Sequence, residues 1–307
     1  MKCEKVLLTG SSGFIGAHIK NSLEHAGIEV VGIDTSNSST LGSAIYADEA
    51  TFSTFLTQNK INNNNSVVLH FGANSNASLK DYDPFRFQNV EFSRILFQSS
   101  LKLGLHVVFA SSAAVYGNFF SIPNENRLLA LSPYARSKFL SEIDLCTFKN
   151  RLGMSSTILR LFNVYGSNET RKGEMMSIPS RFTIDAKKKG MIEIWNLPDS
   201  DHSFGKQARD FVSVDHLVGV IRLLLSNPAD FDGIFDLGAG VARSFIDVAR
   251  IVQEISTCGI KMIDPPQSYK ESNYQTFTKA GIHSRNLGDL ICFPSFEENL
   301  KTLAHHY

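Results

Sequence analysis

The sequence predicts an α/β fold: a doubly wound parallel sheet with helices on both faces, followed by a smaller C-terminal α/β region. Three observations predict it. Short apolar runs alternate with longer amphipathic stretches through the first half of the chain. Those runs are apolar at consecutive positions instead of every second one, as strands covered on both faces require. Gly10, Gly13 and Gly16 follow the first run at once, where a strand-turn-helix unit needs a tight turn.

The first strand is "KVLLT" (residues 5–9), and helical spacing follows over 14–25. "EVVGI" (29–33), "SVVLHF" (66–71), "HVVFASS" (106–112) and "SSTILRLF" (155–162) are the next strands, with helices over 51–59, 85–103 and 133–151 between them. The last of these helices opens on Ser132 and Pro133, a hydroxyl N-cap followed by proline at a position where no N–H is needed. "NNNN" at 62–65 reads as a loop before a strand. Repeated βα units imply a parallel sheet.

Beyond Phe162 the rhythm changes. A basic-tailed helix over 176–189 precedes a strand, "MIEIW" (191–195), and a turn-rich loop, "SDHSFGKQ" (200–207). "RDFVSV" (209–214) and "GIFDLG" (233–238) return as strands, helices follow at 214–226 and 245–257, and the polar stretch "PPQSYKESNYQTFT" leads to a final short helix. The expected division is a dinucleotide-binding region over 1–165, with strands returning at about 205–240, and a mainly substrate-binding region over 166–307.

The 307 residues are 43% hydrophobic and 20% charged, with 30 basic residues balancing 30 acidic ones. No long basic run appears, so nucleic acid and anionic membranes are not expected partners. Cys3, Cys146, Cys258 and Cys292 are widely spaced, and no His cluster accompanies them, which predicts reduced thiols and no metal site. The N-terminal residues pass straight into a strand and no apolar run reaches membrane-spanning length, so the expected location is cytoplasmic.

The glycine spacing in "LLTGSSGFIG" lets backbone N–H groups approach a pyrophosphate at a helix N-terminus, the Rossmann-type cofactor turn. Asp34 ends the second strand, where it either starts a turn or accepts hydrogen bonds from an adenosine ribose. In the second reading it favours NAD over NADP, since no Arg or Lys follows in "TSNSS" to neutralise a 2′-phosphate. Gly72 and Ala73 are small enough to admit a dinucleotide at the edge of the third strand, and Asn89 lies in the following helix. His70, without an adjacent carboxylate, reads as a core or edge residue.

"FASSAAVYG" places Ser111 and Ser112 at the end of the fourth strand, and "SPYARSKFLSE" sets Tyr134 and Lys138 one helical turn apart. A neighbouring ammonium would lower the phenol's pKa from about 10 toward working pH, so that it exchanges a proton with a substrate hydroxyl. Lys138 can also hold the nicotinamide ribose. A lone Tyr-x-x-x-Lys has little specificity; its weight comes from following a glycine turn and a Ser-ended strand in that order.

With these three motifs in register, the whole chain resembles the extended short-chain dehydrogenase/reductases, the NAD-dependent epimerase/dehydratase family. The resemblance implies Ser112, Tyr134 and Lys138 as the catalytic triad, with Ser111 a neighbour. It implies a cofactor site of Gly10, Ser12, Gly13, Phe14, Ile15, Gly16, Asp34, Thr35, Phe71, Gly72, Ala73, Asn89, Tyr134 and Lys138.

"FNVYGSNETRKGEMMSIPSRF", "ARDFVSVDHL", "GIFDLGAGVARSF" and "NYQTFTKAG" look most like the ADP-L-glycero-D-manno-heptose 6-epimerase branch, of lipopolysaccharide synthesis. That likeness implies a nucleotide-sugar substrate met by Asn74, Ser112, Asn163, Lys172, Arg181, Arg209 and Tyr274, with Arg209 toward the diphosphate and Asp210 its structural partner. It makes Tyr134 and Lys172 the two proton-transfer groups of an oxidation and opposite-face re-reduction. The residues alone leave Lys172 open between that role and a solvated loop cation beside Arg171. Glu174 and Arg181 depart from the branch, which has Ser and His there.

The alternatives are a 4-epimerase or 4-reductase on a UDP-, GDP- or dTDP-sugar, and a non-enzymatic dinucleotide-sensing regulator. A sensor need not keep an intact acid/base set. A dehydratase is disfavoured, because Ala113 and Ala114 stand where that chemistry wants an acidic pair. A homo-oligomer is expected.

Overall fold

The computed structural model describes residues 3–34, 48–76, 79–117, 130, 132–196, 205–265 and 275–307. The chain forms two compact units. The first comprises Met1–Val115, Ala130–Arg160 and Val218–Phe235; the second comprises Tyr116–Leu129, Leu161–Leu217 and Asp236–Tyr307.

The first unit is built on a six-stranded sheet of β1 (Lys5–Thr9), β2 (Glu29–Ile33), β3 (Ser66–His70), β4 (His106–Ser112), β5 (Ser156–Leu161) and β9 (Gly233–Leu237), in the order β2-β1-β3-β4-β5-β9. β1 pairs in parallel with both β2 and β3, and β3 with β4, with Thr9 in register with His70. The strand order reverses between β1 and β3, so a crevice opens at their C-terminal ends, the place where such sheets bind ligands. Helices α1 (Phe14–His25), α2 (Glu49–Gln58), α3 (Phe92–Lys102) and α4 (Pro133–Leu152) flank it. Leu7, Val68, Phe97, Phe109, Leu145 and Ile158 are buried in one core cluster, each contributing about 1.5–3 kcal/mol. The doubly wound parallel sheet is as the sequence predicts.

The helix predicted over 85–103 is interrupted. A short turn, Asp83–Phe85, leads into a π-helical turn, Arg86–Glu91, and only then into α3. Within this wider turn the hydroxyls of Ser93 and Ser141 (3.0 Å) both donate to the Asn89 carbonyl.

The second unit holds β6 (Asn163–Tyr165), β7 (Met191–Trp195), β8 (Ala208–Ser213), β10 (Ala242–Ser244) and β11 (Gly259–Ile263). β8 pairs in parallel with β6 and antiparallel with β10, while β7 and β11 form a separate parallel pair. Helices α5 (Ile178–Lys189), α7 (Phe245–Ser256) and α8 (Phe296–His306) pack here around Tyr165, Phe182, Phe211, Phe245 and Phe296, and α6 (Val214–Ser226) follows β8 directly. The sequence reading lacks β6, β10 and β11. The first two are three residues each, too short to show a period, and β11 has mixed exposure.

Among the described residues, no helix is long and apolar enough to cross a membrane, and no cluster of His, Cys, Asp or Glu could hold a metal. All four cysteines are free thiols.

Candidate active site

The glycine turn joins β1 to α1. Gly13 is the N-cap of α1 and makes no side-chain cap bond, whereas Asp48, Ser132, Ser177, Ser244 and Ser295 cap α2, α4, α5, α7 and α8. The N-cap position thus puts no side chain over the start of α1, where the helix dipole favours negative charge. A Cβ on Gly16 would lie 2.0 Å from the Gly10 carbonyl oxygen, so only glycine lets the helix start this close to the turn. Asp34 leaves β2 beside this turn, and its Oδ2 accepts the Ser12 N–H at 2.9 Å. Phe14 and Ile15 are half-buried in the first turn of α1. These features fit a dinucleotide diphosphate. Thr35 lies outside the described residues.

At the end of β3, Phe71, Gly72, Ala73 and Asn74 are half-buried, and a polar network lies beneath them. The Gly72 N–H donates to Thr9 Oγ1 (2.9 Å), and the Thr9 hydroxyl donates to His70 Nδ1 (2.7 Å), the bare nitrogen of a neutral ring whose proton is on Nε2. The Nε2–H of His70 then donates to Ser93 Oγ (2.8 Å), whose hydroxyl goes to the Asn89 carbonyl. Burial pushes the imidazole down to about 3, so it works here as a neutral bridge. This places His70 in the core, as the sequence reading has it. The Asn89 amide accepts from Asn74 N–H (2.7 Å) and donates to Asn74 O (3.0 Å) and Ser137 Oγ (2.9 Å). Every polar position of Asn89 is engaged with protein, so it fixes the strip beside the crevice and ties it to α4.

The two serines at the end of β4 part company because successive strand residues face opposite ways. Ser111 is buried and donates to Glu142 of α4. Ser112 accepts the Ala114 N–H at 3.2 Å, and its hydroxyl is on the side of the strand end where it lowers the pKa of the Tyr134 phenol. Tyr134 also packs against Phe85, with ring centroids 6.2 Å apart. Lys138 is buried; its Nζ donates to the Ala110 carbonyl at 2.8 Å and lies 5.0 Å from the Phe109 ring centroid. Burial lowers its ammonium to about 7, opposed by the charge of Glu142.

The phenol differs from the sequence expectation. Burial raises its pKa above the ordinary value, and the opposing influence is the Ser112 hydroxyl, not Lys138. The Lys138 ammonium is turned to the β4 backbone, which explains why proximity along the helix does not make it the phenol's main partner.

In the second unit, Lys172 lies in a 3₁₀ stretch, Glu169–Met175, and its Nζ is 2.6 Å from Oε1 of Glu169. Glu169 is fully buried and also accepts the N–H (2.9 Å) and hydroxyl (2.6 Å) of Ser177, the N-cap of α5. Gly173 follows at φ 54°, ψ −123°, a backbone state that a side chain would oppose. The guanidinium of Arg181 donates to the Glu174 carbonyl, so the two departures from the heptose-epimerase pattern meet each other. Asn163 begins β6 and is half-buried. Arg209 is buried on β8, with one guanidinium nitrogen 3.0 Å from the Ala208 carbonyl and the group 5.8 Å from the Phe245 ring centroid. Tyr274 lies outside the described residues.

Asp210 does not serve Arg209 as expected. Its carboxylate accepts the N–H groups of Ala239 (2.7 Å), Gly240 (2.9 Å) and Ala280 (3.0 Å), because adjacent strand residues project to opposite sides. Burial raises it to about 6. The sequence reading also misses Glu142, Arg160 and Glu169. The available signals are that Arg160 is a charge within an apolar strand, that Glu142 stands one helical turn after Lys138, and that Glu169 stands three residues before Lys172.

Residues 6–238 match the NAD dependent epimerase/dehydratase family. The chain is 30% identical to the ADP-L-glycero-D-manno-heptose-6-epimerase of Nitratidesulfovibrio vulgaris (strain DP4), covering 98% of this chain and 97% of that one. It is also 30% identical to the protein of that name from Alkalilimnicola ehrlichii, covering 96% and 95%. Among solved structures it is similar to a UDP-N-acetylglucosamine 4-epimerase from Methanobrevibacter ruminantium M1, at a TM-score of 0.80 and 23% identity over 100% of this chain and 98% of that one. It is likewise similar to the Helicobacter pylori ADP-L-glycero-D-manno-heptose-6-epimerase, at 0.76 and 21% over 99% and 96%. With the uncapped glycine turn, Ser112 acting on the Tyr134 phenol and these likenesses together, the chain belongs to the NAD-dependent epimerase/dehydratase family, as an NAD-dependent epimerase enzyme.

Proposed function

We propose that the protein epimerises a nucleotide sugar, ADP-glycero-manno-heptose at carbon 6, by oxidising the carbinol to a ketone and re-reducing it on the opposite face. The observation that carries this reading is the 30% identity to proteins named for that reaction over 98% of the chain, joined to an intact Ser112, Tyr134 and Lys138. NAD, when bound, supplies reversible hydride transfer. Gly10, Gly13 and Gly16, with the open N-terminus of α1, hold its diphosphate, and Asp34 takes the adenosine ribose hydroxyls.

The Tyr134 phenol exchanges the proton of the reacting hydroxyl, and Ser112, which favours ionisation of that phenol, shares the same oxygen. Lys138 holds the nicotinamide ribose. Because one acid/base group cannot reach the reacting oxygen in two opposed sugar poses, a second is needed, and Lys172 takes that part. Arg209 meets the diphosphate of the substrate. Asn163, Asn74 and Arg181 complete the sugar contacts, with the Arg181–Glu174 link marking where this chain's pocket differs from the branch pattern.

The test is to incubate the purified protein with ADP-D-glycero-β-D-manno-heptose and resolve the two C6 epimers by NMR. Formation of the L-glycero epimer is expected. Absence of interconversion with NAD bound, together with turnover of UDP-glucose at carbon 4, would move the assignment to a 4-epimerase.

A further inference from the structure

Glu142 stands one turn after Lys138 on α4 and is 3% exposed. Its carboxylate accepts from two strands of the first unit, β4 and β5. Oε1 accepts the Ser111 hydroxyl and Arg160 Nε (3.0 Å), and Oε2 accepts a second guanidinium nitrogen of Arg160 at 2.7 Å. The partners bear directly on the proposed chemistry. Ser111 precedes Ser112, the serine that acts on the Tyr134 phenol, and Ala110, just before Ser111, accepts the Lys138 ammonium. One buried carboxylate therefore ties the end of β4 to the helix that carries Tyr134 and Lys138.

A stability role alone would be met by the Glu142–Arg160 pair. Buried ion pairs add little net stability over apolar packing, so their presence asks for another explanation. The charged and titratable groups around Lys138 supply one. Glu142 and Tyr134 share its helix, Arg160 comes from β5, and His70 comes from β3, kept neutral by burial and by the Lys138 charge. Glu142 is the charge that acts on Lys138 in the sense of keeping it protonated, against desolvation that brings the ammonium to about 7.

We propose that Glu142 is a positioning residue of the reaction, which registers Ser112 against Tyr134 through Ser111 and supplies the counter-charge that keeps buried Lys138 cationic for the cofactor ribose. This rests on the reading of Lys138 as a cofactor contact.

The experiment compares wild type, Lys138→Met, Glu142→Gln and Glu142→Gln/Arg160→Gln by NAD+ titration calorimetry from pH 5.5 to 9, with thermal melts at each pH. Wild-type affinity falls as pH rises through neutrality, and Lys138→Met removes that dependence. Glu142→Gln moves its midpoint down by about 1–2 pH units. The double variant removes the guanidinium that has lost its carboxylate and regains melting temperature, yet keeps the displaced midpoint. If Lys138→Met binds NAD+ with the wild-type pH dependence, the reading of Lys138 fails and the inference with it. If Lys138→Met behaves as stated but the double variant restores the wild-type midpoint, Glu142 is only the partner of Arg160 and the inference alone is overturned.

Discussion

The ammonium of Lys172 lies 2.6 Å from a carboxylate oxygen of Glu169, a residue with no exposure to solvent. The lysine side chain is 28% exposed, so a partly accessible ammonium is paired with a fully buried carboxylate. This is more order than a solvated loop cation needs.

Lys172→Met therefore has two expected effects. Turnover falls by about 10²-fold or more if Lys172 is the second proton-transfer group. Stability falls by about 3 kcal/mol, since a buried carboxylate loses its partner. Turnover and urea unfolding measured on the same preparation separate the two. Full turnover in a destabilised variant would reduce Lys172 to a structural ion pair.

Tyr134→Phe keeps the ring that packs on Phe85 and deletes the hydroxyl. Turnover should drop by about 10²–10⁴-fold while NAD+ affinity stays within a few fold of wild type. Ser112→Ala should act in the same direction but less, because the phenol remains. Steady-state rates and NAD+ titration check both, and a variant with unchanged rate would remove the phenol from the mechanism.

What the sequence reveals is what backbone geometry imposes. β1, β2 and β4 and the helices over 14–25 and 214–226 have the predicted bounds, because strand burial and helical period both leave a mark on local composition. Gly16 is legible because nothing larger fits beside Gly10. The partners of buried charges are not legible. Glu142 meets Ser111 31 residues away, and Asp210 meets Ala280 70 residues away, through contacts that only the folded chain creates. Adjacency suggested Arg209 for Asp210 and Lys138 for Tyr134; strand alternation and burial overrule both.

Asp210→Asn tests the first of these. Both oxygens of Asp210 accept backbone N–H groups, so an amide must turn one donor toward another. A loss of about 1–3 kcal/mol is expected from an unsatisfied buried donor, read as a lower urea midpoint. A loss confined to nucleotide affinity, with stability intact, would instead support a partnership with Arg209.

Cofactor choice follows from Asp34, whose carboxylate is fixed beside the glycine turn by the Ser12 N–H. A 2′-phosphate brought to that edge meets a like charge, which costs several kcal/mol when desolvated. NAD+ should bind at least about 10²-fold more tightly than NADP+, and Asp34→Ala should narrow the gap by weakening NAD+ and relieving NADP+. Competitive titration of the two cofactors measures this, and tighter NADP+ binding by wild type would contradict it.

Acid should destabilise the protein through two buried histidines. His70 is held to about 3 and His106 to about 4, both by burial, against an ordinary value of 6.5. Between those values the unfolded chain binds protons that the folded chain does not, so the contribution is complete above 6.5 and is lost as pH falls toward 4 and 3. Two protons give a slope of about 2.7 kcal/mol per pH unit near pH 5. Asp210 works against it: its folded value of about 6 lies above the ordinary 3.8, so the folded chain gains that proton first and is favoured as pH falls through this range. The net expectation is about one proton, or about 1.4 kcal/mol per pH unit, on this three-group balance. His106→Gln keeps hydrogen-bonding groups toward Ser155 and Thr157 while removing the titration. Urea unfolding at pH 4.5, 5.5 and 7 should show a flatter acid slope in that variant, and an unchanged slope would show that His106 does not contribute.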